Sequence, residues 1–157
     1  MEDIFKDFSV ESIRFSKRPQ SLAANDRLQW KMSLVLMILS EFSRKETCSL
    51  RKMNLLIWGI QFEQNHFELL RIISGNDRAL ASSVKFDPGL PRVLVYMSGA
   101  GLLFMKNSKY ALTAQGRVVG AAIKNNKEIF RRERSILGKI PGADLTEANI
   151  ERALKNG

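Results

Sequence analysis

Residues 87–120 read DPGLPRVLVYMSGAGLLFMKNSKYALTAQGRVVG. Asp87 is a typical N-cap residue, and Pro88 suits the first position of a helix, where its missing N–H loses no hydrogen bond. The beginning of this stretch therefore predicts a helix. Two short apolar segments follow, on either side of Asn107 and Ser108. Because asparagine tolerates positive φ, the pattern predicts a β-hairpin with a two-residue turn.

A second helix is predicted directly after the hairpin. Thr113 is a suitable N-cap for it, and Gly116 and Gly120 lie on its early turns. A helix, a hairpin and a capped helix in this order are typical of a winged-helix domain. The predicted fold class is therefore mainly α with a small β-hairpin. Winged helices seldom catalyse reactions; they bind nucleic acid or other proteins.

The apolar periodicity of the remaining chain predicts further helices. These are expected over residues 26–44, 50–62, 65–74 and 145–154, and the helix capped by Thr113 is expected to run over residues 114–137. Ser49 and Thr146 are predicted N-caps, and residues 84–86 are a candidate short strand. The predicted organisation is an N-terminal arm (residues 1–24), a winged-helix domain (25–137) and a C-terminal helical extension (138–157).

Composition places the chain among ordinary globular proteins. Its 157 residues suffice for one domain with a real core, and 45% are hydrophobic while 26% are charged. The longest apolar run, residues 34–39, is far shorter than the roughly 20 residues that span a bilayer. The acidic start of the chain argues against a secretory signal. We therefore expect a cytoplasmic protein with no membrane partner.

The sequence contains few residues that could form a disulfide, bind a metal or catalyse a reaction. Its single cysteine, Cys48, and single histidine, His66, exclude an internal disulfide and a thiolate metal cage. Cys48 is expected to be a small buried residue and His66 a residue near a helix start. No glycine-rich phosphate-binding loop is present. We assign no catalytic residues and expect no enzyme activity, no metal and no cofactor.

The net charge of +9 favours a polyanionic partner. Seven residues are candidates for contacts to DNA phosphates, without sequence specificity: Lys106, Lys109, Arg117, Lys124, Lys127, Arg131 and Arg134. The last four recur at intervals of three, four and three residues, so they share one face of the predicted 114–137 helix. The alternative is that this basic face is simply solvated.

The helix before the hairpin is poorly equipped to read bases. Over residues 88–98 it carries one basic side chain, Arg92, whereas base reading needs several Arg, Lys, Asn or Gln side chains. Its apolar character favours contact with protein. Candidate protein-binding residues are Trp30, Trp58, Arg92 and Tyr96, because Trp, Tyr and Arg are enriched at interfaces. For the two tryptophans the alternative is a place in the core.

Several segments resemble a known family. Residues 53–60 read MNLLIWGI, residues 86–94 read FDPGLPRVL, Gly101 and Leu102 follow, and residues 110–116 read YALTAQG. These segments are similar to the signatures of the middle component of ABC-three-component systems. Gly59 stands where that family usually has alanine.

The resemblance implies a small winged-helix subunit of the kind that accompanies SMC and Rad50-like ATPases, including those of Lamassu-type antiphage defence. It implies a non-catalytic adaptor between a coiled-coil ATPase and an effector, often a nuclease, with a contribution to holding double-stranded DNA. The alternative from the residues themselves is a free-standing transcription regulator that binds operator DNA as a dimer.

Overall fold

The computed structural model describes residues 28–75 and 78–155, which form a mainly helical fold with one small sheet. The helices are α1 (Leu28–Glu41), α2 (Leu50–Gln61), α3 (Glu63–Ile73), α4 (Gly89–Gly99), α5 (Ala114–Asn125), α6 (Arg131–Leu137) and α7 (Glu147–Lys155). The strands are β1 (Thr47–Cys48), β2 (Leu103–Lys106) and β3 (Lys109–Leu112), with short 3₁₀ turns at Arg44–Glu46 and Arg78–Ser83. The predicted arm over residues 1–24 lies outside the described residues. Among the described helices, none is long and apolar enough to cross a bilayer.

Helix α1 lies at the centre of the core. Residues 34–39 each expose 3% of their surface or less, so the helix is buried on most sides, as its broad apolar surface predicted. It packs against α2, α4, α5 and β3. The C-terminal part of the chain joins the same core through Leu137, Ile140, Leu145 and Ile150.

The hairpin forms as predicted. Asn107 and Ser108 have φ values of 50° and 59°, which is the two-residue turn with positive φ at both positions that suits a twisted hairpin. A third strand, β1, was not predicted; it pairs antiparallel with β3 through Thr47 opposite Ala111, and the strand order is β1-β3-β2.

The predicted strand over residues 84–86 is wrong. This segment is an extended loop without strand pairing. The Lys85 carbonyl accepts a hydrogen bond from Asn54 Nδ2 at 3.2 Å, so the loop is bonded to a side chain of α2. The edge of the sheet is occupied by β1 instead.

Asp87 links the start of α4 to two other helices. Its Oδ1 accepts from the Gly89 N–H at 2.8 Å, and its Oδ2 lies 2.7 Å from Nζ of Lys31 in α1. Its backbone N–H donates to Oδ1 of Asn54 in α2 at 3.0 Å. Helix α4 therefore begins one residue later than predicted, with Pro88 rather than Asp87 at its N-cap, but the Asp87 side chain still bonds to the first turn and fixes that turn against α1 and α2.

The single helix expected over residues 114–137 is wrong, because it is broken into α5 and α6. Residues 126–130 form the break, and Phe130 adopts a left-handed conformation with φ of 56°. The Phe130 ring meets Trp30 of α1 edge to face, with centroids 6.1 Å apart. The break places this aromatic side chain against α1, which gains apolar contact that a straight helix would not give.

Two glycines let α5 approach its neighbours closely. Thr113 caps α5 as predicted, accepting from the Gly116 N–H at 3.0 Å. A Cβ added at Gly116 would lie 2.1 Å from the Leu102 carbonyl oxygen, and one at Gly120 would lie 2.3 Å from Ser40 Oγ. Both distances are far below van der Waals contact. At Gly116 the close atom belongs to the backbone, so only glycine fits there, whereas at Gly120 the Ser40 side chain would have to move.

We expect Gly116→Ala to lower the free energy of unfolding by about 1–3 kcal/mol, because the added methyl group must displace backbone at Leu102. Gly99→Ala is the matched control, since no atom lies within 4 Å of its added Cβ. The control is expected to change stability by less than about 1 kcal/mol or to raise it. Urea denaturation of both variants measures the difference, and equal stability of the two would contradict the close packing of α5.

Candidate functional site

The hairpin carries two opposed lysines beside its turn. Lys106 and Lys109 are cross-strand partners, so their side chains lie on the same face of the sheet. Like charges directly opposite each other destabilise a sheet. Among the described residues, no acidic side chain forms an ion pair with either lysine. A bound anion would therefore reduce the repulsion between the two lysines.

The turn before β1 adds two basic residues that sequence reasoning missed. Arg44 and Lys45 are exposed in the 3₁₀ turn Arg44–Glu46. Because β1 pairs with β3, the turn lies beside Lys109, and all three side chains line one cavity. In the sequence, Arg44 and Lys45 are a basic dipeptide just before β1. Because β1 was not predicted, nothing in the sequence linked this dipeptide to the hairpin.

The candidate DNA-binding residues on α5, in the break and on α6 differ in their ion pairs and in the element that carries them. Arg117 is partly neutralised by Glu46, whose Oε2 lies 2.5 Å from the arginine Nε. Lys124 and Lys127 are exposed, but Lys127 lies in the break rather than on α5. Arg131 forms an exposed ion pair with Glu128. The predicted common face of Lys124, Lys127, Arg131 and Arg134 is wrong, because the helix that would align them ends at Asn125.

Arg134 is a structural residue rather than a phosphate contact. Its side chain is only 12% exposed and its Nη2 lies 2.8 Å from Oε1 of Glu41, which is equally buried. The same guanidinium donates to the Ile123 carbonyl at 2.6 Å and to the Asn126 carbonyl at 2.8 Å. Because α5 ends here, these carbonyls have no helical N–H to accept from. Arg134 supplies the missing hydrogen bonds and at the same time joins α6 to α1.

The protein-binding candidates fall into two groups. Arg92 and Tyr96 lie one helical turn apart on the exposed side of α4, beside Val95, which is 72% exposed. Trp58 is 8% exposed and belongs to the core, so the docking interpretation of Trp58 is wrong. Trp30 is half-buried against Phe130 and is thereby largely occupied within the chain.

The cysteine and histidine take structural places. Cys48 is fully buried, and burial raises the pKa of its thiol to about 12, which confirms the expected small buried residue. His66 lies in the first turns of α3 with Nε2 3.4 Å from the Ile60 carbonyl. Within residues 28–75 and 78–155, no group of three His, Cys, Asp or Glu side chains could hold a metal ion.

Comparison of the chain with protein-family models, with curated proteins and with solved structures gives no match.

We expect Arg134→Ala to lower the free energy of unfolding by about 3–5 kcal/mol, because it leaves the buried carboxylate of Glu41 without its partner. Lys124→Ala is the control and is expected to change stability by less than about 0.5 kcal/mol, because Lys124 is exposed. Thermal and urea denaturation measure both. A loss no larger for Arg134→Ala than for Lys124→Ala would refute the structural assignment.

Proposed function

We propose that this fold is a winged helix, with α4 in the place of the recognition helix and the β2–β3 hairpin as the wing. The support is the order of elements: a helix, a short strand, further helices, and a hairpin that pairs with that strand. The strand order β1-β3-β2 suits this arrangement. Helix α3 is an addition between α2 and α4.

The chain acts in this proposal as a non-catalytic adaptor subunit of an SMC-like ATPase complex in antiphage defence. The observation that carries it is the exposed side of α4, where Val95 is 72% and Tyr96 is 56% exposed. A helix that reads DNA needs hydrogen-bonding side chains on this side. Apolar and aromatic side chains beside Arg92 are instead typical of a protein interface.

The nature of the partners follows from the family resemblance and from the charge of the hairpin. The resemblance of residues 53–60, 86–94 and 110–116 to middle components of ABC-three-component systems supports a coiled-coil ATPase on one side and an effector, such as a nuclease, on the other. The unneutralised Lys106 and Lys109 support contact with the backbone of double-stranded DNA, without sequence specificity.

The second candidate is a transcription regulator that binds operator DNA. The basic hairpin favours DNA contact in this case as well. However, a regulator must discriminate among DNA sequences, which requires several side chains that hydrogen-bond to bases. The exposed side of α4 carries a single basic side chain, Arg92, which is too few for this purpose. Adaptor and regulator therefore differ in what α4 contacts.

We expect the Val95→Asp variant to lose the ATPase partner, because a carboxylate would be desolvated in an apolar interface. The measurement is affinity purification of the tagged chain from its native cell after nuclease treatment, with the coiled-coil ATPase identified by mass spectrometry. Val118→Asp is a closely matched control, since Val118 is also 72% exposed but lies on α5.

The control is expected to retain the ATPase, and circular dichroism checks that both variants fold. Absence of a coiled-coil ATPase from the wild-type preparation would contradict the adaptor proposal. Equal retention by the two aspartate variants would contradict the role of α4.

A further inference from the structure

A basic cleft lies between the hairpin, the turn before β1 and the start of α7. We define the cleft by its four cations, Arg44, Lys45, Lys52 and Lys109. One carboxylate, Glu147, also lines it, together with Thr47, Leu145 and Thr146. The cavity has a volume of about 420 Å³, which is large enough for a polyatomic anion. Its lining thus has a large excess of positive charge.

Lys52 is the informative residue of the cleft. Its side chain belongs to α2 and the residue is only 1% exposed, yet Nζ makes a hydrogen bond to the Phe42 carbonyl at 3.2 Å and no ion pair within the described part of the chain. An ammonium group has three hydrogens to donate, and a buried charge without a counter-ion is strongly unfavourable.

The other buried lysine shows how this fold normally neutralises such a charge. Lys31 is 8% exposed, and its Nζ lies 2.7 Å from Oδ2 of Asp87. The half-buried Arg134 likewise has Glu41. Lys52 has no such partner among the described residues, although Glu147 lines the same cavity.

Glu147 is engaged elsewhere. Its Oε1 accepts a hydrogen bond from the Ser49 N–H at 2.8 Å, at the start of α2. This bond holds α7 against the start of α2. No ion pair joins Glu147 to Lys52 among those that the described residues form. Within the described residues, the cleft combines a buried ammonium that has no carboxylate partner with three further cations at its walls.

We propose that the basic cleft binds a phosphate group, and that the phosphate belongs to a DNA backbone. This inference rests on the proposed contact of the hairpin with DNA. Lys109 lines the cleft and also pairs across the hairpin with Lys106, so positive charge runs from the cleft onto the exposed face of the hairpin. A backbone follows such a continuous basic track, whereas a free anion would need the cleft alone.

The test compares wild type with Lys52→Met and Lys45→Ala in binding to a random-sequence DNA duplex, measured by fluorescence anisotropy at several salt concentrations. Each change is expected to weaken binding about tenfold, because a charge-assisted contact to phosphate is lost. Each should also reduce the salt slope by about one unit. Lys139→Met is the control, since exposed Lys139 lines a different cavity, and it should bind DNA as wild type does.

The melting temperatures of the variants distinguish loss of DNA binding from loss of folding. Lys52→Met is expected to melt at the wild-type temperature or above, because it removes a buried ammonium that has no carboxylate partner in the described part of the chain. Lys45 is exposed, so Lys45→Ala keeps the test decisive even if position 52 tolerates no change. Wild-type DNA affinity and salt slope in both variants would overturn the proposal.

Inorganic phosphate separates the two sources of the ligand. It is added at constant ionic strength, and the melting temperatures of wild type and Lys52→Met are compared. If phosphate stabilises only the wild type while DNA affinity is the same in all variants, a free phosphate compound occupies the cleft and the DNA backbone is excluded. Because these readouts do not involve the ATPase, their failure is distinguishable from failure of the adaptor proposal.

Discussion

The burial of residues 34–39 of α1 determines how the other elements pack. Because each of these six residues exposes 3% of its surface or less, this part of the helix must be covered on most sides, and α2, α4, α5 and β3 cover it. Its two ends are fixed by ion pairs, Lys31 with Asp87 and Glu41 with Arg134. The first positions α4, which carries one of the two candidate surfaces, and the second positions α6.

This arrangement separates two kinds of surface. The exposed side of α4 is apolar, whereas the hairpin and the basic cleft are positively charged. Positive charges that serve the fold are paired with carboxylates, as in Lys31 and Arg134. Those of the hairpin and the cleft are largely unpaired within the described residues. A chain with this division can contact a protein through one element and a polyanion through another, which is what an adaptor requires.

Local signals in the sequence were sufficient for the hairpin turn and for the caps at Ser49 and Thr113, because each depends on residues close in the chain. They were insufficient for β1, a two-residue strand whose only stabilising partner is β3, far along the chain. The break after Asn125 was also missed. Its residues fit a helix in isolation, and the break follows from tertiary contacts of Phe130 with Trp30 and of Arg134 with Glu41.

The residues of the candidate site show the same difference between local signals and tertiary contacts. The position of Lys106 and Lys109 beside the hairpin turn could be predicted because the turn is a local signal, whereas the ion pair of Arg134 could not, because its partner Glu41 lies on α1. The role proposed for Lys52 depends on its burial without a carboxylate partner among residues 28–75 and 78–155, which no sequence pattern encodes. Trp58 shows the converse, since helical spacing alone does not separate a core tryptophan from a docking one.

In the proposed function, α4 contacts a protein, whereas the hairpin and the basic cleft contact DNA. The most direct measurement is a titration of the isotope-labelled chain with a random-sequence DNA duplex, with amide chemical shifts followed residue by residue. We expect shifts at residues 44–45 and 106–109, and none on the exposed side of α4 at Arg92, Val95 and Tyr96. Shifts concentrated on that side of α4 would contradict this proposal and would favour a helix that reads DNA.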